Sequence, residues 1–538
     1  MAFLRTEKKQ SGTYLRIVES YRDKQGKSRH RTLYNLGKAE DYSSKTLKKI
    51  GKLFLELSGE SYSPEAPVKE ISRFNYGFVQ VYDKILRIYG LKKLLDRIGD
   101  RKKLSFDLYR HVLLMLIERL NDPASKLSNF NNKEEYLHLD SIELHNLYRS
   151  LDHLCDSQSQ VQETIYHQGR DLFNQRLDVV FYDVTTFYFD SEYEDGFRNQ
   201  GYSKDGKIGK TVIVFGLLID ADKNPIGYKI YRGGFYEGYT FADAVRKLKK
   251  EYMIEKVIMV ADRGMMNKGN VEVVEKEAGY EYIIGERLKN LPEQLQKQLT
   301  DRSQYSTMEI KDPESGDKMH IEYLMLEYSG KRLLATYSSK RAAKDRWERE
   351  KRIEKGLEIL KNPSKAEKKA RRNYLTKTEN DKYKLDEEKI EKDKRYDGIV
   401  CLATNNRQMG VPELLDTYKQ LYKIEHSFRT FKSYLETRPM FHWTQSRIEG
   451  HLCLCYIAFT LLNYLRNTLA KKGHSLSENE IRKVVNKMQL SLVEKDGEEY
   501  YLRSNNSENE RNILKSINLK EIPNLIKKTS VNDYISID

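Results

Sequence analysis

The chain has 538 residues, of which 33% are charged, and its formal net charge is +15. This length exceeds the roughly 250–300 residues at which a single hydrophobic core stops growing, so several domains are expected. The positive balance favours a polyanionic partner. No apolar signal segment opens the chain, and its most apolar stretch, residues 452–465, is too short to span a bilayer, so no membrane partner is expected.

The four cysteines are Cys155, Cys401, Cys453 and Cys455. They have no CxxC spacing and no nearby pair of histidines, so a zinc site is not expected. Unpaired cysteines of this kind are typical of reduced thiols in a cytoplasmic protein.

Residues 1–70 combine a hairpin pattern with a helical one. Two β-type segments, 12–21 and 28–36, flank a glycine-containing turn, and a helical pattern follows over 44–57. Basic residues on both arms favour a polyanion contact, but a structural flap fits the same pattern. Pro64 and Pro67 mark a linker.

Residues 71–175 have a helical pattern, with apolar residues at helical spacing over 81–95 and 106–120 and a glutamine-rich segment near 158–175. The second helix is expected to end at the run that contains Pro123, because proline is incompatible with a helix interior. An ordinary helical bundle is the structure that these residues by themselves predict.

Residues 176–286 alternate strand and helix patterns, which predicts a mixed α/β sheet. Helices are predicted over 240–252 and 268–278, and strands over 177–183, 211–220, 226–231, 257–261 and 280–284. Two strands lead into an acid, Asp183 and Asp262, and sites of α/β proteins open at the carboxyl ends of strands. Each Asp alone also fits a turn residue or a helix cap.

The loop over 198–210 lies close to the first acid and interleaves glycines with Lys204, Lys207 and Lys210. Such a loop lets backbone and ammonium groups approach phosphates closely. A solvated turn has a similar composition, so both interpretations stay open.

Residues 287–397 are predicted to form an inserted domain of strands and charged helices, because the interval from Asp262 to Glu425 is too long for a simple connection. It contains a basic cluster, whose members are Lys365, Lys368, Lys369, Arg371 and Arg372. The cluster fits a polyanion contact, and a solvated charged helix is the other interpretation.

Residues 398–470 are predicted to return the chain to the core, and residues 471–538 to form a polar tail with helical pieces.

Within residues 398–470, apolar residues over 414–435 recur at helical spacing, and Glu425 falls inside this stripe. A carboxylate on a buried helix face needs compensation, either by a core Arg or Lys or by a metal ion. Two aspartates and this glutamate at one sheet edge would form an all-oxygen site suited to Mg²⁺ or Mn²⁺.

Asp183, Asp262 and Glu425 resemble the DDE triad of bacterial insertion-sequence transposases. The resemblance extends to the residues around both aspartates and to the stretch 234–240 between them. It implies a ribonuclease H-like mixed sheet, interrupted by the inserted domain and preceded by the hairpin and the helical region. It further implies that residues 71–175 bind DNA ends and that the insertion grips DNA.

The helix over 414–435 resembles the signature Y-x2-R-x3-E-x6-K of these transposases. Tyr418, Glu425 and Lys432 match it, whereas Leu421 stands where the signature has Arg. Tyr418 and Lys432 each lie about two helical turns from Glu425, where Lys432 fits a phosphate contact and Tyr418 a contact with the DNA end, while residues at the edge of the core fit the same positions. The resemblance implies two Mg²⁺ or Mn²⁺ ions, with Asp183 bridging both and Asp262 and Glu425 each completing one.

The implied function is metal-dependent cleavage of double-stranded DNA at the element's terminal inverted repeats, followed by strand transfer into target DNA. A homodimer or larger complex in the bacterial cytoplasm, associated with the nucleoid when bound to DNA, is expected with it. Two alternatives stay open: a ribonuclease H-like nuclease without strand transfer, and a catalytically silent DNA-binding protein derived from a transposase.

Overall fold

The computed structural model describes most of the chain, in eight segments: residues 2–59, 68–173, 178–265, 267–311, 318–361, 374–378, 383–495 and 497–537. The chain folds into two compact units. The first comprises Met1–Glu70 and Val493–Glu499, and the second comprises Ile71–Leu492 and Tyr500–Asp538.

The first unit contains an antiparallel three-stranded sheet and a helix, which are β1 (Ala2–Lys9), β2 (Gly12–Arg22), β3 (Ser28–Lys38) and α1 (Ser44–Leu57). The predicted hairpin is confirmed as β2 and β3, and β1 adds a third strand that the sequence analysis did not anticipate. Helix α1 begins where Ser43 caps it by accepting a hydrogen bond from the Thr46 N–H at 3.2 Å.

The second unit begins within strand β4 (Lys69–Asn75) and continues with a series of helices: α2 (Gly77–Ile88), α3 (Leu91–Lys102), α4 (Leu108–Asn121), α5 (Lys126–Asn132), α6 (Leu144–Asp156) and α7 (Gln158–Phe173). Helix α4 ends two residues before Pro123, as predicted. These helices pack around α15 (Gln445–Lys471), which contacts α4 and α6.

Helix α15 is long and apolar enough to cross a membrane, but 89% of its most apolar window is buried inside the protein. It approaches α6 so closely that a Cβ added at Gly450 would lie 2.0 Å from the carbonyl oxygen of Leu151. The helix is therefore the centre of the core on which the other helices pack.

The first strands of the main sheet, in chain order, are β5 (Val179–Tyr188), β6 (Asn199–Gln200), β7 (Thr211–Asp220), β8 (Pro225–Tyr231), β9 (Ile258–Ala261) and β10 (Glu281–Glu286). Strand β7 pairs antiparallel with β5 and β8, whereas β5, β9 and β10 run parallel to one another. The resulting order, β8-β7-β5-β9-β10, is that of a ribonuclease H-like sheet. Helix α8 (Glu237–Lys250) connects β8 to β9, and α9 (Lys268–Glu272), continued by a π-helical turn, leads to β10.

Part of the segment predicted as an inserted domain extends the core sheet, and two of its short strands form a separate two-stranded sheet. The segment contains α10 (Glu293–Thr300), β11 (Ser306–Lys311), β12 (Lys318–Tyr328), β13 (Lys331–Tyr337), α11 (Ser339–Lys361), β14 (Leu375–Lys377), β15 (Tyr383–Leu385) and α12 (Glu387–Lys394). Strand β16 (Ile399–Thr404) pairs with both β10 and β13, so β11, β12 and β13 extend the core sheet. These three strands are therefore part of the core sheet, whereas β14 and β15 pair with each other.

The last elements are α13 (Val411–Lys419), α14 (Tyr422–Arg429), α15, α16 (Glu478–Asn486), β17 (Gln489–Lys495), β18 (Glu498–Arg503), α17 (Glu508–Ser516) and β19 (Leu525–Lys527). The tail was predicted to be polar with short helical pieces. It also contributes three strands to a four-stranded sheet in the order β19-β18-β17-β4. The partner strand β4 is remote in sequence, so the tail alone does not reveal this sheet.

Candidate active site at the edge of the main sheet

Asp183 and Asp262 come together through the pairing of β5 with β9. The parallel register aligns Tyr182 with Ala261, so the two aspartates are the next residues on neighbouring strands, which lie roughly 4.8 Å apart. Asp183 was predicted to lie at the end of its strand. This prediction was wrong, because β5 continues to Tyr188. The site opens beside Asp183 because β9 stops at Ala261.

Burial raises the pKa of Asp183 to about 6, although Lys204 and a backbone hydrogen bond oppose this effect, and Asp262 and Glu237 add to it. The Asp183 Oδ1 atom accepts a hydrogen bond from the Val184 N–H at 2.7 Å and lies 3.9 Å from the Lys204 Nζ. Asp262 is more exposed, and its Oδ1 accepts from the Arg263 N–H at 2.7 Å. The two neighbouring aspartates therefore differ in environment.

Replacing Asp183 by Asn is expected to stabilise the protein in the absence of divalent cations. The folded-state pKa of about 6 lies above the ordinary value of 3.8, so the folded protein binds the extra proton and its stability falls as the pH rises between these values. Above pH 6 the ionised carboxylate costs about 3 kcal/mol at most. Urea unfolding in EDTA at pH 4 and pH 7 measures this: the Asn variant should be more stable at pH 7 only, and a lower stability at pH 7 would contradict the prediction.

Glu425 lies on a helix that is not continuous. Helix α13 ends at Lys419 and α14 begins at Tyr422, with a tight turn in which the Leu421 N–H donates to the Tyr418 carbonyl at 3.0 Å. The break changes which side of α14 is buried. Its buried residues are Ile424, Ser427 and Phe428.

Glu425 is exposed, so the prediction that it falls on the buried face was wrong. It nevertheless lines one cavity of about 340 Å³ together with Asp183. Lys204, Lys432 and Arg438 line the same cavity. The sheet edge thus brings the third acid to the first without burying it.

The three carboxylates offer only oxygen donors, which is the chemistry that Mg²⁺ and Mn²⁺ prefer. Within the eight described segments, no group of three or more His, Cys, Asp or Glu side chains is close enough to hold one metal ion. The donor type therefore fits, while an ion held by all three acids requires their side chains to approach one another. Asp183 already faces a cation, the ammonium group of Lys204.

Lys432 lies in a π-helical turn, Thr430–Tyr434, that follows α14. Its side chain is largely buried, and its Nζ donates to Asp205 Oδ1 at 3.1 Å. Tyr418 is half-buried beside β10, where a Cβ at Gly285 would lie 2.8 Å from its hydroxyl oxygen. Burial, followed by the charge of Asp262, raises the pKa of Tyr418 to about 12, so this phenol is a hydrogen-bond donor at neutral pH.

Comparison with known families identifies the region that holds this site. The model described as "Transposase DDE domain" matches residues 174–461, more than half of the chain. The chain belongs to the DDE transposase family. A second model, "IS1634 family transposase, N-terminal domain", matches residues 4–59, so the family is that of insertion-sequence transposases.

No curated protein sequence matches this transposase-family chain. Two similar solved structures are "Mos1 transposase paired-end complex with left transposon end" and "Crystal structure of the Mos1 mariner paired end complex with Mn". Each is 12% identical over 44% of this chain, covering 67% and 77% of the respective solved chains, with TM-scores of 0.15 and 0.13. These TM-scores are too low to carry a structural argument.

The remaining lysines predicted to contact DNA differ in their surroundings. Lys207 lies over the ring of Tyr188, with 5.6 Å from its Nζ to the ring centroid. Lys210 forms an ion pair with Asp190 at 3.0 Å, which raises the pKa of the lysine. The basic cluster of Lys365, Lys368, Lys369, Arg371 and Arg372 lies outside the described residues.

Four charged residues around this candidate site were not predicted from the sequence: Glu237, Arg263, Arg287 and Arg438. Glu237 opens α8 and lies 3.4 Å from the Lys204 Nζ. Arg263 and Arg287 are exposed and line a cavity of about 850 Å³ with Asp262. For Arg263 and Arg287 the available signal was their position within two residues after the ends of β9 and β10, because the carboxyl ends of parallel strands share one edge.

Proposed function

We propose that this protein is a transposase that cleaves double-stranded DNA at the ends of its element and joins the ends to target DNA. The observation that carries the proposal is the placement of Asp183, Asp262 and Glu425 at one edge of a ribonuclease H-like sheet, inside the segment matched by the DDE family model. Together with the net charge of +15, this favours a DNA substrate.

In this proposal, the three carboxylates hold the divalent ions, Mg²⁺ or Mn²⁺. Such ions activate an attacking water or 3′-hydroxyl group and stabilise the leaving oxygen. Asp183 neighbours Asp262 through the strand register and shares a cavity with Glu425, so it is the acid proposed to serve both ions. Its raised pKa reflects a buried carboxylate that lacks sufficient positive charge, and a bound cation would supply that charge.

The exposed cations around the acids would position the DNA backbone. Lys207 belongs to the same loop, residues 198–210, as Lys204, which lines the cavity. Tyr418 is uncharged, but its phenolic hydroxyl can donate a hydrogen bond to a phosphate oxygen. Two DNA ends must be joined to one target, so the active complex is proposed to contain at least two protomers. Action on chromosomal DNA places the protein in the bacterial cytoplasm, associated with the nucleoid.

The direct test uses DNA from both flanks of the coding region. Purified protein is incubated with end-labelled duplexes of these flanks and Mg²⁺ or Mn²⁺, and the products are resolved on denaturing gels. New 3′-hydroxyl ends at the element boundary, followed by joined products with a target plasmid, support the proposal. Cleavage without joining would favour the nuclease alternative, and binding without cleavage would favour the silent DNA-binding protein.

Arg263 and Arg287 are expected to contact DNA phosphates. Among the described residues, neither guanidinium group has an ion-pair or hydrogen-bond partner, whereas neighbours such as Arg349 are paired with an acid. Replacing each by Gln should weaken binding to a mixed-sequence duplex. It should also make the negative slope of log K against log salt concentration shallower by about 0.9 per lost contact.

Fluorescence anisotropy across a salt series measures this slope. Arg246→Gln is the matched control, since Arg246 pairs with Glu277 at 2.8 Å on the surface of α8, and its slope should equal that of the wild type. Unchanged slopes for Arg263→Gln and Arg287→Gln would remove these residues from the DNA interface.

A further inference from the structure

Two adjacent residues of the loop over 198–210, Lys204 and Asp205, carry opposite charges into the cavity region. The ammonium group of Lys204 lies 3.9 Å from Asp183 Oδ1 and 3.4 Å from Glu237 Oε1. It also donates to the Val184 carbonyl at 2.5 Å. A positive charge of this chain thus lies among the acids that would hold a divalent ion.

The carboxylate of Asp205 lies among cations. Its Oδ1 atom accepts from the Lys432 Nζ at 3.1 Å, and its Oδ2 atom lies 3.0 Å from the Arg438 Nε. All three side chains are largely buried, with exposed fractions of 14% for Asp205, 12% for Lys432 and 24% for Arg438. A negative charge thus lies between two cations that face the acidic site.

The pairing of Asp205 with Arg438 is incomplete. Both the Oδ2 atom of Asp205 and the Nε atom of Arg438 are buried, and their contact lacks hydrogen-bond geometry, which leaves them without a hydrogen-bond partner among the described residues. Burying such groups without a hydrogen bond is costly. Arg438 therefore has an unused donor, and a tetrahedral phosphate offers more acceptor oxygens than one carboxylate.

The loop is held to the sheet at its start by the pairing of β6 with β7, and at Lys204 by the contacts above and a backbone hydrogen bond. The Lys204 N–H donates to the Thr186 hydroxyl group at 2.9 Å, while the neighbouring side chains of Tyr202 and Ile208 are 82% and 89% exposed. Because Lys204 and Asp205 are consecutive, a displacement of the backbone at one residue also moves the other residue. A backbone movement of the loop at this point would therefore withdraw both charges from the cavity.

We propose that Lys204 and Asp205 are internal substitutes for the ligands of the site, with the ammonium in place of a divalent cation and the carboxylate in place of a DNA phosphate. This inference rests on the proposed function. A DNA phosphate that binds Lys432 and Arg438 displaces Asp205, withdraws Lys204 from Asp183 and Glu237, and opens the acids to the metal ion. By linkage, metal binding and DNA binding strengthen each other to the same extent.

Replacing Lys204 by Met removes the competing charge but keeps most of the side-chain volume. The affinity of the DNA-free protein for Mn²⁺, measured from the free-ion signal in electron paramagnetic resonance, should rise about tenfold. Saturating mixed-sequence duplex DNA should raise the Mn²⁺ affinity of the wild type but change that of Lys204→Met little. Lys204→Gln provides a second variant should the Met variant fail to fold.

Replacing Asp205 by Asn keeps the shape and removes the negative charge between Lys432 and Arg438. The affinity of the Asp205→Asn variant for the same duplex, measured by fluorescence anisotropy without divalent ions, should also rise about tenfold. The matched controls are Lys229→Met and Asp243→Asn, which alter an ion pair of 2.9 Å on β8 and α8 and should leave both affinities unchanged.

The outcomes separate this inference from the proposed function. If the wild type binds Mn²⁺ and DNA but Lys204→Met and Asp205→Asn leave the affinities unchanged or lower them, the internal-substitute inference is wrong and the transposase proposal stands. If the wild type binds neither ligand, both are wrong. Raised affinities in both variants, together with loss of the mutual enhancement in Lys204→Met, support the inference.

Discussion

Single replacement of Asp183, Asp262 or Glu425 by Ala is expected to lower metal-dependent DNA cleavage by about three orders of magnitude or more, because the acids act as a unit in holding the ions. DNA binding should persist, since the basic groups that contact the backbone are untouched. The expected result is therefore a full gel shift of end DNA without strand cleavage.

Glu272→Ala is the matched control for this series. Glu272 is an exposed acid of α9 that pairs with Lys276 at 2.7 Å, and its loss should leave cleavage at the wild-type rate. The assay is cleavage of labelled flanking DNA in Mg²⁺ and Mn²⁺, with binding measured separately. Wild-type cleavage by Glu425→Ala would refute the role of α14, and with it the DDE assignment of these residues.

Replacing Gly450 by Ala is expected to have the largest effect on stability. The added Cβ would lie 2.0 Å from the Leu151 carbonyl oxygen, and both atoms belong to the backbones of packed helices that cannot yield locally. Helix α15 would have to move away from α6, which should cost about 3 kcal/mol, the upper end of the usual range for overpacking.

Urea unfolding followed by circular dichroism measures this loss. Gly99→Ala is the matched control, because Gly99 lies in α3 with nothing within 4 Å of the added Cβ. That variant should be more stable than the wild type by about 0.5–1 kcal/mol, from helix propensity alone. Equal stabilities of Gly450→Ala and the wild type would show that α15 and α6 are not packed as described.

Local patterns predicted much of the core. The strands that precede Asp183 and Asp262, the antiparallel pair β7 and β8, and the end of α4 before Pro123 all follow from residue type and short-range periodicity. Such features depend on the backbone preferences of consecutive residues, and these are present in the sequence itself. These elements predicted a mixed α/β sheet, and the resemblance to DDE transposases added its ribonuclease H-like order.

The predictions that were wrong or absent depend on neighbours that are distant in the chain. The exposure of Glu425 follows from a tight turn at Leu421, which helical periodicity does not register. The extension of the sheet by β13 depends on its pairing with β16, and the strands of the tail depend on β4. Long-range pairing has no signature in a local window.

The sequence by itself determined the fold class, the family and the candidate acids, because these depend on patterns within single elements. Only the tertiary structure decided which charges share the site. It placed Lys204 against Asp183 and Glu237, and Asp205 against Lys432 and Arg438, across separate elements. Electrostatic interactions depend on the distance between charges in space and on their burial, and neither quantity follows from the separation of the residues in the sequence.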